Sequence, residues 1–170
     1  SFTVYPYTEI IIKCFRNKIQ IKPKYKWPED IFYIVGSREI KDYNRNNLDE
    51  NLYLTFSSKN RIPENNIEGQ LYNFNNQKLY NVGLFTLENE LKLYSIVEND
   101  FEGRFKFYNI PNGEYILVAL SSKIKEIAND IRYYDYALET KKIIINNNSD
   151  LDNKLYIFKP AERLNLMSLN

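Results

Sequence analysis

Short runs in which apolar and polar residues alternate, or in which apolar residues are continuous, fill most of this chain. FTVY (2–5), EIIIKCFR (9–16), KIQIKP (18–23), DIFYIVGS (30–37) and NLYLTFSS (51–58) are each bounded by Asn, Pro, Lys or Asp clusters and read as strands. The polar stretch KNRIPENN (59–66) then breaks the pattern and marks a boundary. Beyond it come NIEGQLYN (66–73), KLYNVGLFT (78–86), ELKLYSIV (90–97), a pair of runs within 102–120, ETKKIIIN (139–146) and NKLYIFK (153–159). Short strands at this spacing, with no long helical repeats between them, predict an all-β chain of two β-sandwich modules rather than a parallel α/β sheet. The modules are expected at 1–60 and 66–160. Only SSKIKEIANDIRYYDYAL (121–138) has apolar residues at helical spacing, at Ile124, Ile127 and Ile131, and it leaves a short helix or an ordered loop open.

The most informative stretch is FEGRFKFYNIPNGEYILVAL (101–120), where a β pattern stops at IPNG and resumes. Pro111 presets its φ, Asn112 tolerates unusual backbone angles and Gly113 accepts φ > 0, so the chain reverses there and the stretch reads as a β-hairpin. Phe105 and Phe107 alternate with Arg104 and Lys106 on a half-exposed first arm. Tyr115 to Leu120 is almost wholly apolar, as expected of an interior strand. Phe105, Phe107, Tyr115, Leu117, Val82 and Leu84 are therefore the expected core of the second module.

Composition narrows the chemistry. The chain has 170 residues, 44% of them apolar, which is enough to fill a core; its 15 tyrosines and 10 phenylalanines favour strands. With 23 basic and 22 acidic residues the net charge is +1, so no global field draws the chain to nucleic acid or to an anionic membrane. The single cysteine, Cys14, has no partner for an internal disulfide and reads as a small buried hydrophobe in its apolar run. No residue is histidine, which excludes Ser-His-Asp and Cys-His catalysis and histidine zinc sites. No glycine loop of the phosphate-cradling kind occurs, and no cofactor is expected. The carboxylate pairs Glu29/Asp30, Asp49/Glu50, Glu98/Asp100 and Asp150/Asp152 fall in predicted turns, where acidic residues are common as solvated side chains. The lysine-aromatic segment KPKYKW (22–27) is too short, and its neighbours too acidic, for a single-strand nucleic-acid site. Tyr133, Tyr134 and Tyr136 in YYDY, with Trp27 and Tyr25, form a candidate aromatic platform for sugar rings; alternating aromatics also serve as core.

Residues 19–58, IQIKPKYKWPEDIFYIVGSREIKDYNRNNLDENLYLTFSS, resemble the C-terminal part of bacterial Ig-like modules of cell-envelope proteins, with Ile40, Asp42, Asn46 and Leu48 occupying a loosely spaced version of their I-x-D-x-x-x-N-x-L turn. The second half resembles the transthyretin-like or carboxypeptidase-regulatory-like β-sandwich, related in style to Cna-B repeats. Gly69, Val82, Gly103, Phe105, Phe107, Ile110, Gly113, Tyr115 and Leu117 supply its pattern, and Gly69, Gly103, Phe105, Phe107, Pro111, Gly113 and Tyr115 stand here as fold-signature residues, not as site residues. The two in tandem look like the Ig-like domain-containing envelope lipoproteins of Bacteroidetes. That resemblance implies an exported, non-enzymatic protein, in the periplasm or at the cell surface and associated with the outer membrane. Its partners would be other envelope proteins, including an outer-membrane complex, and it would meet the membrane only through a tether outside these residues. Where many members carry an acidic, calcium-inviting loop, this chain has Ser121, Ser122, Lys123 and Lys125, so no metal site carries over.

Three function classes follow: a structural or interaction module of the envelope, a carbohydrate-binding or adhesive module using exposed aromatics, and an enzyme or its accessory domain. The first is preferred, because a sandwich that binds through its edges and faces needs no catalytic residue types. Modules of the Ig-like kind usually begin with further strands upstream of the segment matched here, and ERLNLMSLN stays apolar after the last strand. The expectation is a portion of a longer protein, or a first module completed by another chain, with an open edge near Ile10 to Phe15.

Overall fold

The computed structural model describes residues 1–59, 61–87, 91–121, 134–139 and 141–146, and the backbone of 150–156. Within them the chain is all-β and sandwich-type. The strands are β1 (Phe2–Tyr5), β2 (Ile10–Phe15), β3 (Lys18–Pro23), β4 (Ile31–Gly36), β5 (Leu52–Ser57), β6 (Asn66–Tyr72), β7 (Asn81–Thr86), β8 (Lys92–Glu98), β9 (Arg104–Phe107), β10 (Gly113–Leu120), β11 (Tyr136–Leu138), β12 (Ile143–Ile145) and β13 (Asp150–Tyr156). The first ten coincide closely with the runs read from the sequence. Tyr136–Leu138, at the end of the stretch left open as helix or loop, is a strand beside β10; the isoleucines of that stretch lie outside the described residues.

In the second half, a sheet ordered β13-β6-β9 faces a sheet ordered β11-β10-β7-β8, with β12 also paired to β10. The two sheets share one core. Ile67 and Leu71 from β6 and Phe105 and Phe107 from β9 meet Val82 and Leu84 from β7 and Tyr115, Leu117 and Ala119 from β10. Each strand sends alternate residues inward, the period-two rule of pleated strands. All six residues expected in this core are buried. β10 has strands on both edges, and its second face carries Val118 and Leu120 into a further cluster with Phe85. Double coverage is why this strand is apolar from Tyr115 to Leu120.

The IPNG reversal is not a hairpin. β9 pairs with β6, whereas β10 pairs with β7, β11 and β12, so the turn carries the chain from one sheet across the core to the other. The left-handed residue is Asn109, at φ 61°, rather than Gly113. Ile110 is fully buried and its N–H donates to the Asn65 carbonyl at 2.9 Å, while the Tyr115 hydroxyl donates to the Pro111 carbonyl at 2.9 Å. The turn is thereby fixed from both sides of the core. Gly103 does require its freedom: at φ +82° a Cβ would lie 2.6 Å from the Phe74 ring and 2.8 Å from the Leu71 carbonyl oxygen. Gly69 is buried opposite Phe105.

The first half is built differently. β1, β4 and β5 form a three-stranded sheet, and β2 and β3 form a separate two-stranded one. β4 is buried at every position. Ile31 and Tyr33 point into the core of the second half, while Phe32 and Ile34 join Val4 in a cluster on the opposite face. Residues 1–60 and 66–160 thus meet through a shared core. Cys14, expected to be buried, is exposed on the small hairpin. The reason is that the face of the hairpin it shares with Ile12 and Ile19 is only partly covered.

Phe107 is 1% exposed at the centre of the main core. Phe107→Ala should lower unfolding stability by about 3–5 kcal/mol with an unchanged denaturant slope. A loss below about 1 kcal/mol in urea titration would contradict this placement.

Candidate functional site

Two regions of the described residues combine exposure with organised side chains: the junction between the halves and the outer side of the first half. At the junction, Tyr33 donates its hydroxyl proton to the Asn109 carbonyl at 3.0 Å and meets Tyr94 edge-on with ring centroids 5.7 Å apart. Tyr94 in turn packs at 5.7 Å on Tyr115, making a tyrosine ladder from β4 to β10. The Tyr53 hydroxyl accepts from the Glu98 backbone N–H at 3.0 Å. Arg38 Nη2 lies 2.9 Å from Glu98 Oε2. Neither Arg38 Nε nor Glu98 Oε2 makes an aligned hydrogen bond, so charge rather than geometry holds this pair. Beside it a groove of about 730 Å³ is lined by Asp49, Glu68 and Asp100 as well as Arg38, Arg104 and Lys106. Side chains of both signs line it.

Four of the carboxylates named from the sequence, Glu29, Asp30, Glu98 and Asp100, have structural partners. Glu29 pairs with Lys26 at 2.8 Å, and Asp30 with Lys59 at 3.0 Å. Asp100 Oδ1 accepts the N–H groups of Glu102 and Arg104, which shapes the turn ahead of β9. Asp150 and Asp152 lie in β13 rather than in a turn. Among the described residues no cluster of acidic or cysteine side chains fits a metal ion. One polar cluster has no forewarning in the sequence. Asp135 is buried and accepts from the Tyr80 hydroxyl at 2.9 Å and from Lys78 Nζ at 3.1 Å, tying the start of β7 to the segment before β11. Burial first, and then this carboxylate, push the Tyr80 phenol above its ordinary value.

The aromatics proposed as a platform are not brought together. Trp27 is half-buried and stacks on Phe32, centroids 5.0 Å apart and planes within 12°, so one ring face is already used. Tyr134 and Tyr136 are half-buried against Phe85, Val118 and Leu120, a different cluster on a different sheet. Tyr25 is well exposed, with Lys24 Nζ 5.3 Å from its ring centre. Tyr133 lies outside the described residues.

What the sequence reading missed is the outer side of the first half. Opposed residues in the β2–β3 register share a face: Ile10, Ile12 and Cys14 with Pro23, Ile21 and Ile19 on one, and Ile11, Lys13 and Phe15 with Lys22, Gln20 and Lys18 on the other. Ile10 and Ile21 pack on Val4, Phe32 and Ile34, so the first face is the inner one. It is only partly covered, with Ile12 40% and Ile19 46% exposed. On the sheet beneath, Leu54 and Phe56 stand opposite Ile34 and Phe32 and share their face, yet Leu52, Leu54 and Phe56 are each about 40% exposed. Most large apolar side chains exposed among the described residues lie between Tyr7 and Phe56. The signal that would have found the hairpin part of this surface is the alternation in KIQIK (18–22), which marks a strand apolar on one side and polar on the other.

Comparison with protein-family models, with curated proteins and with solved structures gave no match.

The tyrosine ladder sets a pH dependence. Burial raises the Tyr94 phenol from 10.0 to about 12, and burial, with Tyr94 beside it, raises Tyr33 further. Tyrosine is charged only when deprotonated, so the folded state keeps these protons where the unfolded chain has lost them. The Tyr94 contribution is complete below about pH 10 and is lost as pH rises from about 10 to about 12, on the order of 2–3 kcal/mol, and that of Tyr33 is lost from about pH 10 upward. Unfolding midpoints measured across that window should fall, and Tyr94→Phe should flatten the slope. A midpoint constant over that range would contradict the burial of this ladder.

Proposed function

We propose that this chain is a non-enzymatic structural and protein-interaction module of a bacterial cell-envelope protein, acting as a subunit or tethered part of an outer-membrane-associated assembly. The observation that carries the reading is the distribution of apolar surface. The described residues of the second half expose Leu91, Phe101, Tyr108, Leu138 and Ile144 at separate places along the chain, whereas the hairpin and β5 of the first half leave Ile12, Phe15, Ile19, Leu52, Leu54 and Phe56 partly in solvent within two strand pairs. Contiguous apolar exposure of this kind marks association surfaces in soluble domains. The shared core through β4 supports a mechanical role for the second half: it holds the exposed hairpin in a fixed orientation. The envelope location rests on the resemblance of residues 19–58 and of the second half to modules of that compartment. The carbohydrate-binding alternative is less favoured, because Tyr25 is exposed but Trp27 is stacked on Phe32 and is separated from Tyr134 and Tyr136, so the described aromatics named for it form no common platform.

Photo-crosslinking in the bacterium that makes the protein tests this reading. A benzophenone side chain at Phe15, on the hairpin, should give an adduct with an envelope protein. The same group at Leu91, equally exposed but in the second half, should not. Equal labelling from both positions, no adduct from Phe15, or a protein confined to the cytosolic fraction would overturn it.

A further inference from the structure

The hairpin has three properties that together select a partner. First, β2 and β3 pair only with each other among the described residues, so each presents an outer edge of backbone N–H and C=O groups. Such an edge is a template for a further strand. Second, the two faces of the hairpin differ. The inner face continues as Ile12, Cys14 and Ile19, and on the sheet it packs against, Leu52, Leu54 and Phe56 form an apolar ledge at every second residue, each about 40% exposed. The outer face is mixed on β2, with Ile11, Lys13 and Phe15, and polar on β3, with Lys18, Gln20 and Lys22. Third, these lysines are unanswered. Lys24 pairs with Glu9 at 2.6 Å and Lys26 with Glu29 at 2.8 Å, but no ion pair joins Lys13, Arg16, Lys18 or Lys22 to a carboxylate among the described residues.

We propose that the β2–β3 edge and the β5 ledge accept an extended segment of another protein in which apolar and acidic residues alternate, added as a third strand. The alternation follows from the pleat. Successive side chains of an added strand point to opposite faces, so one set falls toward Ile12, Ile19 and the Leu52–Leu54–Phe56 ledge and must be apolar. Along the β3 edge the other set falls beside Lys18 and Lys22, with Lys13 one strand further in, and is favoured when acidic, because opposite charges on neighbouring strands attract and like charges repel. Backbone hydrogen bonds along the edge hold such a segment, and the two faces choose its sequence. This proposal rests on the interaction reading above and specifies how that surface works.

The probe is a synthetic peptide of about ten residues in which valine and glutamate alternate, compared with its valine-lysine counterpart and with a block arrangement of the same valines and glutamates. Binding to the whole chain is followed by amide NMR. The alternating acidic peptide should slow amide exchange within residues 10–23, bind at least about tenfold more tightly than either control, and weaken as salt is raised. Leu54→Asp should remove most of the binding. Lys13→Glu combined with Lys22→Glu changes only solvent-facing charge, so it keeps the test decisive if Leu54→Asp fails to fold; it should shift preference toward the valine-lysine peptide. Equal binding of all three peptides, or none at millimolar concentration, would overturn strand addition. So would a concentration-dependent dimer whose hairpin amides are already protected, since a second copy would then be the occupant. An adduct at Phe15 in cells without peptide uptake at the hairpin would overturn strand addition while leaving the interaction reading in place.

Discussion

Burial of one strand on both faces is the constraint on which the arrangement of this molecule depends. β4 sends Ile31 and Tyr33 into the main core and Phe32 and Ile34 into the cluster beneath the hairpin. Each such side chain is worth roughly 1.5–3 kcal/mol when removed from water, so neither face of the strand can be exposed cheaply. The first half is therefore not a free module on a linker. Its central strand belongs to the hydrophobic core of its neighbour, and the segment between the halves is held as well: Asn65 donates to the Ile110 carbonyl at 3.1 Å, and Asn109 donates to the Pro63 carbonyl at 2.8 Å. The turn that crosses the sandwich and the segment that joins the halves are thus locked to each other.

The same constraint explains where apolar surface is left over. β4 satisfies its inner face with the second half and its outer face with β1, Ile10, Ile21 and Trp27. β5, at the edge of that sheet, has Leu52, Leu54 and Phe56 on the outer face with too little above them. The result is a closed core on one side of the first half and an under-covered sheet on the other.

Most strands could be read from the sequence because alternation reports which residues face inward. Phe105, Phe107, Tyr115 and Leu117 are buried as their spacing requires. Alternation does not report which strand lies alongside. A hairpin and a crossover between facing sheets place the same side chains in the core, so IPNG was legible as a reversal but not as a change of sheet. Cys14 was misread for a related reason. EIIIKCFR is apolar enough to be an interior strand, but it has a single partner, β3, and its tip projects past the sheet it covers. The aromatic residues failed as a platform because aromatic spacing carries no information about which cluster each ring joins. The apolar ledge on β5 could not be read at all, since NLYLTFSS has the composition of a covered strand and only the tertiary arrangement leaves it open.

Native-state hydrogen exchange followed residue by residue tests the central claim most directly, because it ranks strands by the free energy needed to expose them. If β4 is shared between the halves, its amides should exchange only with global unfolding, at the same free energy as those of β7 and β10, while β2 and β3 open at a much lower one. Amides of β4 that exchange together with the hairpin, well before β7 and β10, would contradict a shared core and make the first half an independent module.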